Sequence, residues 1–96
     1  MRNRYIVTYD ISDDDRRNKV FTTLRGRGDH IQYSVFRCDL SDSERIMMIA
    51  TLHPLIDHKE DQILVIDLGP VEGRAANCVN AIGRPHLAPE RTVVVI

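Results

Sequence analysis

No run of 18 apolar residues occurs in this 96-residue chain, so a membrane-spanning helix is not expected. The opening segment MRNRYIVTYD has too short an apolar run for a secretory signal. Cysteine is scarce. Cys38 and Cys78 show no CxxC spacing, and both read as buried small apolar side chains in a reducing compartment. A dominant charge is also missing, because the net charge of −1 argues against a generally basic nucleic-acid coat. There is no P-loop and no GxSxG elbow, and His30, His53, His58 and His86 have no metal-ligand spacing. Repeats and low-complexity tracts are absent. These absences leave a soluble cytoplasmic protein with no membrane partner.

The 43% hydrophobic content supports a globular chain. At this length folding buries roughly 60–70% of the unfolded surface, enough for one domain. Residues 1–96 are therefore read as one domain, with 70–96 a distinct C-terminal segment that pairs with a partner subunit. Residues 1–40 carry eight Lys/Arg against six Asp/Glu, and residues 41–96 carry five against eight. The front half can thus present a mildly basic surface.

Arg4–Asp10 is β-branched and aromatic and reads as a strand. Ser12 is the expected N-cap of the next element, and Val20, Phe21 and Leu24 fall on one helical face. RGRGD ends that helix, with Gly26 and Gly28 available for left-handed positions. His30–Leu40 is extended, with Tyr33-Ser34 marking a bend between two strands. SDSE (Ser41–Glu44) is a capping box. Ile46, Ile49, Ala50 and His53 share a face of the following helix, which Pro54 kinks or shortens. Gln62–Leu68 is near-continuously apolar, as in strands buried on both faces. After it come a short helix over Ala75–Ile82 and a final edge strand, RTVVVI, available to another chain.

The order β-α-β(β)-α-β matches a split βαβ arrangement, an α+β, ferredoxin-like (βαββαβ) fold with an additional C-terminal strand. Both helices then cover one sheet face and leave the other bare. Packing that face on a second copy is worth about 25 cal/mol per Å2 of apolar area. A symmetric homodimer is the expected assembly.

Four aspartates cluster in YDISDDDRRNKV. Asp13, Asp14 and Asp15 are explained as a first helical turn, where the dipole favours negative charge. Asp10 is not needed for the cap. It is open to two readings: a salt bridge to Arg16 or Arg17, or a working carboxylate. A lone carboxylate is a poor Mg2+ site, since the ion prefers six oxygen ligands. A two-fold axis near Asp10 would bring two carboxylates together. Asp67 is expected near the other end of the first strand. Asp39 is the runner-up partner, on a strand expected to run parallel to the first.

Arg16, Arg17, Lys19, Arg25, Arg27 and Arg37 are candidate phosphate partners, although charged helix faces are usually only solvated. Tyr9, Tyr33 and Phe36 are candidates for base stacking, with core packing the commoner role for such residues.

YIVTYDISDDDRRNKV followed by IQYSVFRCDL resembles the CRISPR-associated protein 2 family. The resemblance covers Tyr5 to about Leu68. It implies a ferredoxin-like homodimer whose members include metal-dependent endonucleases acting on single-stranded RNA or double-stranded DNA in spacer acquisition. It implies catalysis by Asp10 from each chain on one shared metal, Mg2+ or Mn2+. Tyr9, Arg16, Arg17, Lys19 and Phe36 are then the expected nucleic-acid-binding residues, with Tyr9, Arg17 and Phe36 at positions important to activity in the family. His30 stands where a basic residue often occurs. The resemblance also implies a partnership with the CRISPR integrase. Two rival functions come with it: a non-catalytic scaffold bridging integrase dimers on DNA, and a related toxin-type ribonuclease.

Overall fold

The structure, a computed structural model, describes residues 1–84. Four strands and two helices follow in the order β1 (Asn3–Asp10), α1 (Asp14–Arg25), β2 (Asp29–Gln32), β3 (Val35–Leu40), α2 (Asp42–Leu52) and β4 (Gln62–Pro70). The sheet order is β2-β3-β1-β4, with every neighbouring pair antiparallel. The expected α+β arrangement is therefore present. RTVVVI, the expected fifth strand, lies outside the described residues.

Alternation along β1 sets the two faces. Tyr5, Val7 and Tyr9 are buried beneath the helices, and Ile11 continues the series beyond the strand. Phe36, Cys38 and Leu40 of β3 join them, together with Val20 and Leu24 of α1 and Met48 and Leu52 of α2. Burial of Cys38 pushes its thiol pKa up to about 11. Cys78 is exposed, contrary to expectation, because the segment after β4 runs over the surface.

The opposite sheet face is uncovered among the described residues. Ile6 faces Ile66 across the β1–β4 ladder, and Thr8 faces Leu64. Leu64 and Ile66 remain 46% and 44% exposed. A near-continuous apolar strand is half-buried here rather than buried on both faces.

Several local expectations change. The N-cap of α1 is Asp13, not Ser12: its carboxylate accepts the Arg16 N–H at 2.9 Å. An anion at this point also meets the positive end of the helix dipole. The α2 capping box forms as expected between Ser41 and Glu44, and the helix ends at Leu52, where Pro54 enters a 3-10 turn. The face that α2 buries is Met48 and Leu52, while Ile46 and Met47 are about 60% exposed. Apolar residues occur around much of α2, so periodicity did not single out the inner stripe. Over the described residues after β4, a 3-10 turn, Arg74–Asn77, stands in place of the expected helix over Ala75–Ile82.

Gly26 and Gly28 are not left-handed. Gly28 matters for a different reason: a Cβ there would lie 2.3 Å from the Arg37 carbonyl oxygen and 2.6 Å from Cys38 Sγ. The end of α1 can approach β3 only because that side chain is missing.

Tyr33 and Ser34 form the two-residue turn between β2 and β3. Neither has positive φ. The turn is therefore not of the primed type that matches strand twist, and the ladder takes up the mismatch in a register shift between His30 and Gln32.

Candidate nucleic-acid cleavage site

Asp10 ends β1 between two buried residues, Tyr9 and Ile11. Strand alternation therefore turns its side chain to the uncovered face, where it is exposed. Its cross-strand neighbour on β4 is Gln62.

Both expected cation partners of Asp10 are engaged elsewhere. Arg16 Nε donates to Asp61 Oδ2 at 2.7 Å and Nη2 to Asp61 Oδ1 at 3.2 Å. Asp61 also accepts the Asp57 N–H at 2.8 Å, and its side chain has no solvent exposure. The Arg16 hydrogen bonds hold the Asp61 carboxyl below its ordinary pKa. Arg17 pairs with Asp14, and its Nη1 donates to the Ile11 carbonyl at 3.0 Å and the Ser12 carbonyl at 3.3 Å. Arg17 thus clamps the two residues that follow Asp10. Among the described residues no cation pairs with Asp10.

The other two carboxylates sit at the far end of the sheet. β3 runs antiparallel to β1, so Asp39 pairs with Arg4 and not with Asp10. Arg4 Nε and Nη2 reach its carboxylate at 2.8 and 3.1 Å. The expectation of a parallel strand was wrong because the Tyr33-Ser34 hairpin reverses the chain before β3. Asp67 lies opposite Tyr5 and accepts from Asn3 and the Gly69 N–H. No group of three or more His, Cys, Asp or Glu side chains among the described residues is arranged to hold a metal. Of these three strand carboxylates Asp10 alone lacks a partner among the described residues, and one carboxylate is half of a Mg2+ site.

Residues 2–72 match the family described as CRISPR associated protein Cas2. The chain belongs to the Cas2 family. A Rhodospirillum rubrum protein named CRISPR-associated endoribonuclease Cas2 1 is 40% identical over 92 residues, covering 96% of this chain and 89% of its own. A Geobacter sulfurreducens protein named CRISPR-associated endoribonuclease Cas2 is 36% identical over 96 residues, the whole of both chains. Among solved structures, Streptococcus pyogenes Cas2 superposes with a TM-score of 0.71 at 25% identity, over 83% of this chain and 99% of its own. A hypothetical protein from Thermus thermophilus gives 0.76 at 28% identity, over 88% and 94%.

Within this Cas2 chain the expected nucleic-acid contacts separate. Phe36 has no exposure and Tyr9 only 7%, so neither ring is available to a base. Both belong to an aromatic cluster with Phe21 and His30. Burial raises the Tyr9 phenol pKa, and the nearby Arg17 charge opposes the rise. Lys19 is exposed on α1 and has no ion-pair partner among the described residues. Arg16 has its planar fork occupied by Asp61, which favours a positioning role over a phosphate contact. The aromatic residue left open is Tyr33, 94% exposed. Its place in a two-residue turn was the signal that it would not join the core.

No helix among the described residues is long and apolar enough to cross a membrane.

Proposed function

We propose that the chain is a metal-dependent endonuclease of CRISPR spacer acquisition, cleaving phosphodiester bonds at a site completed by two copies of Asp10. The observation that carries this reading is the isolation of Asp10. It is exposed on the uncovered face while Arg16 and Arg17 are held by Asp61 and Asp14. A carboxylate with a merely structural role would be expected to keep one of those cations. The names of the Rhodospirillum rubrum and Geobacter sulfurreducens relatives support an endoribonuclease, and they favour the CRISPR role over a toxin-type ribonuclease.

The uncovered face supports a homodimer. Leu64 and Ile66 lie there on the same face as Asp10, and joining two such faces removes apolar surface from water. A two-fold axis near the end of β1 sets Asp10 beside Asp10 of the partner subunit, and the pair supplies the hard oxygen ligands that Mg2+ or Mn2+ prefers. Bound there, the ion supplies charge stabilisation at a phosphate and a water of lowered pKa. Arg17 fixes the backbone after Asp10 through the Ile11 and Ser12 carbonyls. The Arg16–Asp61 pair fixes the start of β4, so that Gln62 stays opposite Asp10. The CRISPR integrase is the proposed protein partner.

The test is an Asp10→Asn variant assayed for cleavage of RNA and DNA with Mg2+ or Mn2+, and for spacer acquisition in cells. Loss of cleavage supports the assignment, and normal acquisition alongside it would mean that the complex needs the protein as a bridge. Wild-type protein that cuts neither nucleic acid with either metal contradicts it.

A further inference from the structure

We propose that Tyr33 is the nucleobase-stacking residue of this protein, holding one unpaired base beside the phosphate at Asp10. The proposal rests on the cleavage reading above and adds a contact that fixes the substrate's position.

The β1–β3 ladder runs to Thr8 opposite Val35. One further bond, from the Tyr9 N–H to the Ser34 carbonyl at 3.1 Å, carries it to the turn. Asp10 follows Tyr9 and Tyr33 precedes Ser34, so both residues adjoin that bond at one end of the sheet. The most exposed aromatic side chain therefore shares the end of the sheet with the Asp10 carboxylate.

The turn is held firmly. A His30 ring nitrogen lies 2.7 Å from the Tyr33 carbonyl oxygen and donates to it in the matching tautomer. The His30 ring packs on Phe36, with centroids 4.8 Å apart, and meets the edge of Phe21 at 5.0 Å. The backbone of Tyr33 is thus anchored to the core through His30, while its own ring stays in solvent. A fixed, exposed tyrosine suits stacking, since it presents a large flat face at little cost in side-chain entropy. Stacking on a base needs that base unpaired, so the contact selects a single strand over a duplex.

The chain has no tryptophan, so a Tyr33→Trp variant carries one indole as its sole reporter. Binding is followed by its fluorescence with a single-stranded oligoadenylate, in EDTA to stop any metal-dependent cleavage. Quenching by the single strand, and none by a blunt DNA duplex at the same phosphate concentration, is the expected result. Tyr33→Ala should weaken single-strand binding about 5- to 100-fold, while Tyr33→Phe keeps it. Unquenched fluorescence, or equal affinity for Tyr33→Ala and wild type, overturns the proposal. If Asp10→Asn cleaves normally while the quenching is present, the cleavage reading falls and the stacking contact stands. If Asp10→Asn is inactive but the single strand leaves the indole unquenched, the stacking contact falls alone.

Discussion

Arg16 and Asp61 form a forked ion pair that ties the first turn of α1 to the residue before β4, with Nε–Oδ2 at 2.7 Å. The two residues are 45 apart in sequence, and the Asp61 side chain is wholly covered. Arg16 thereby becomes a structural strut at the edge of the site.

The pair sets a pH dependence. Asp61 is held below its ordinary pKa, first by the Arg16 hydrogen bonds, and Glu44 by the Ser41 N–H and then by Arg2. A carboxyl depressed in the folded state contributes stability above its unfolded pKa and loses it as pH falls through the folded value. Urea midpoints should therefore drop for wild type below about pH 4, and Asp61→Asn should start lower near neutrality and drop less. Parallel acid profiles for the two proteins would contradict the role given to Asp61.

Phe36 offers a sharp separation of core from contact. Phe36→Ala should cost about 3–5 kcal/mol of stability, as for other buried aromatics. Phe36→Leu should cost less and retain both fold and cleavage. A well-folded Phe36→Leu protein that binds nucleic acid poorly would return the ring to the interface.

Gly28→Ala tests the close approach of α1 to β3. With the Arg37 carbonyl 2.3 Å from the new methyl carbon, the backbone must shift. A loss of about 1–3 kcal/mol is expected, read from the urea midpoint, against a gain if the site were an ordinary helix end.

Ile66→Glu places a charge on the uncovered face. Sedimentation should show dimer for wild type and monomer for the variant, and cleavage should disappear with the proposed dimer. An active monomer would remove the reason for counting Asp10 twice.

Much of the scaffold was legible in the sequence. Tyr5, Val7 and Tyr9 alternate cleanly, Ser41 and Glu44 announce their helix, and Tyr33-Ser34 marks the hairpin. The isolation of Asp10 was not legible, because it depends on where Arg16 finds its partner, far along the chain at Asp61. Asp39 was misplaced for a related reason, since the hairpin at Tyr33 sets the direction of β3. The aromatics were not separated by the sequence, because composition alone cannot tell a ring under a helix, such as Phe36, from one on a turn, such as Tyr33. The inner stripe of α2 stayed hidden because Ile46, Met47 and Ile49 are as apolar as Met48 and Leu52.

The central claim is that one acid is used twice. Its most direct test mixes wild-type protein with Asp10→Asn, lets subunits exchange, and measures cleavage against composition. If both carboxylates are needed, activity follows the square of the wild-type fraction, about one quarter at equal mixing of a symmetric dimer. Activity that falls in simple proportion to the wild-type fraction would contradict the shared site.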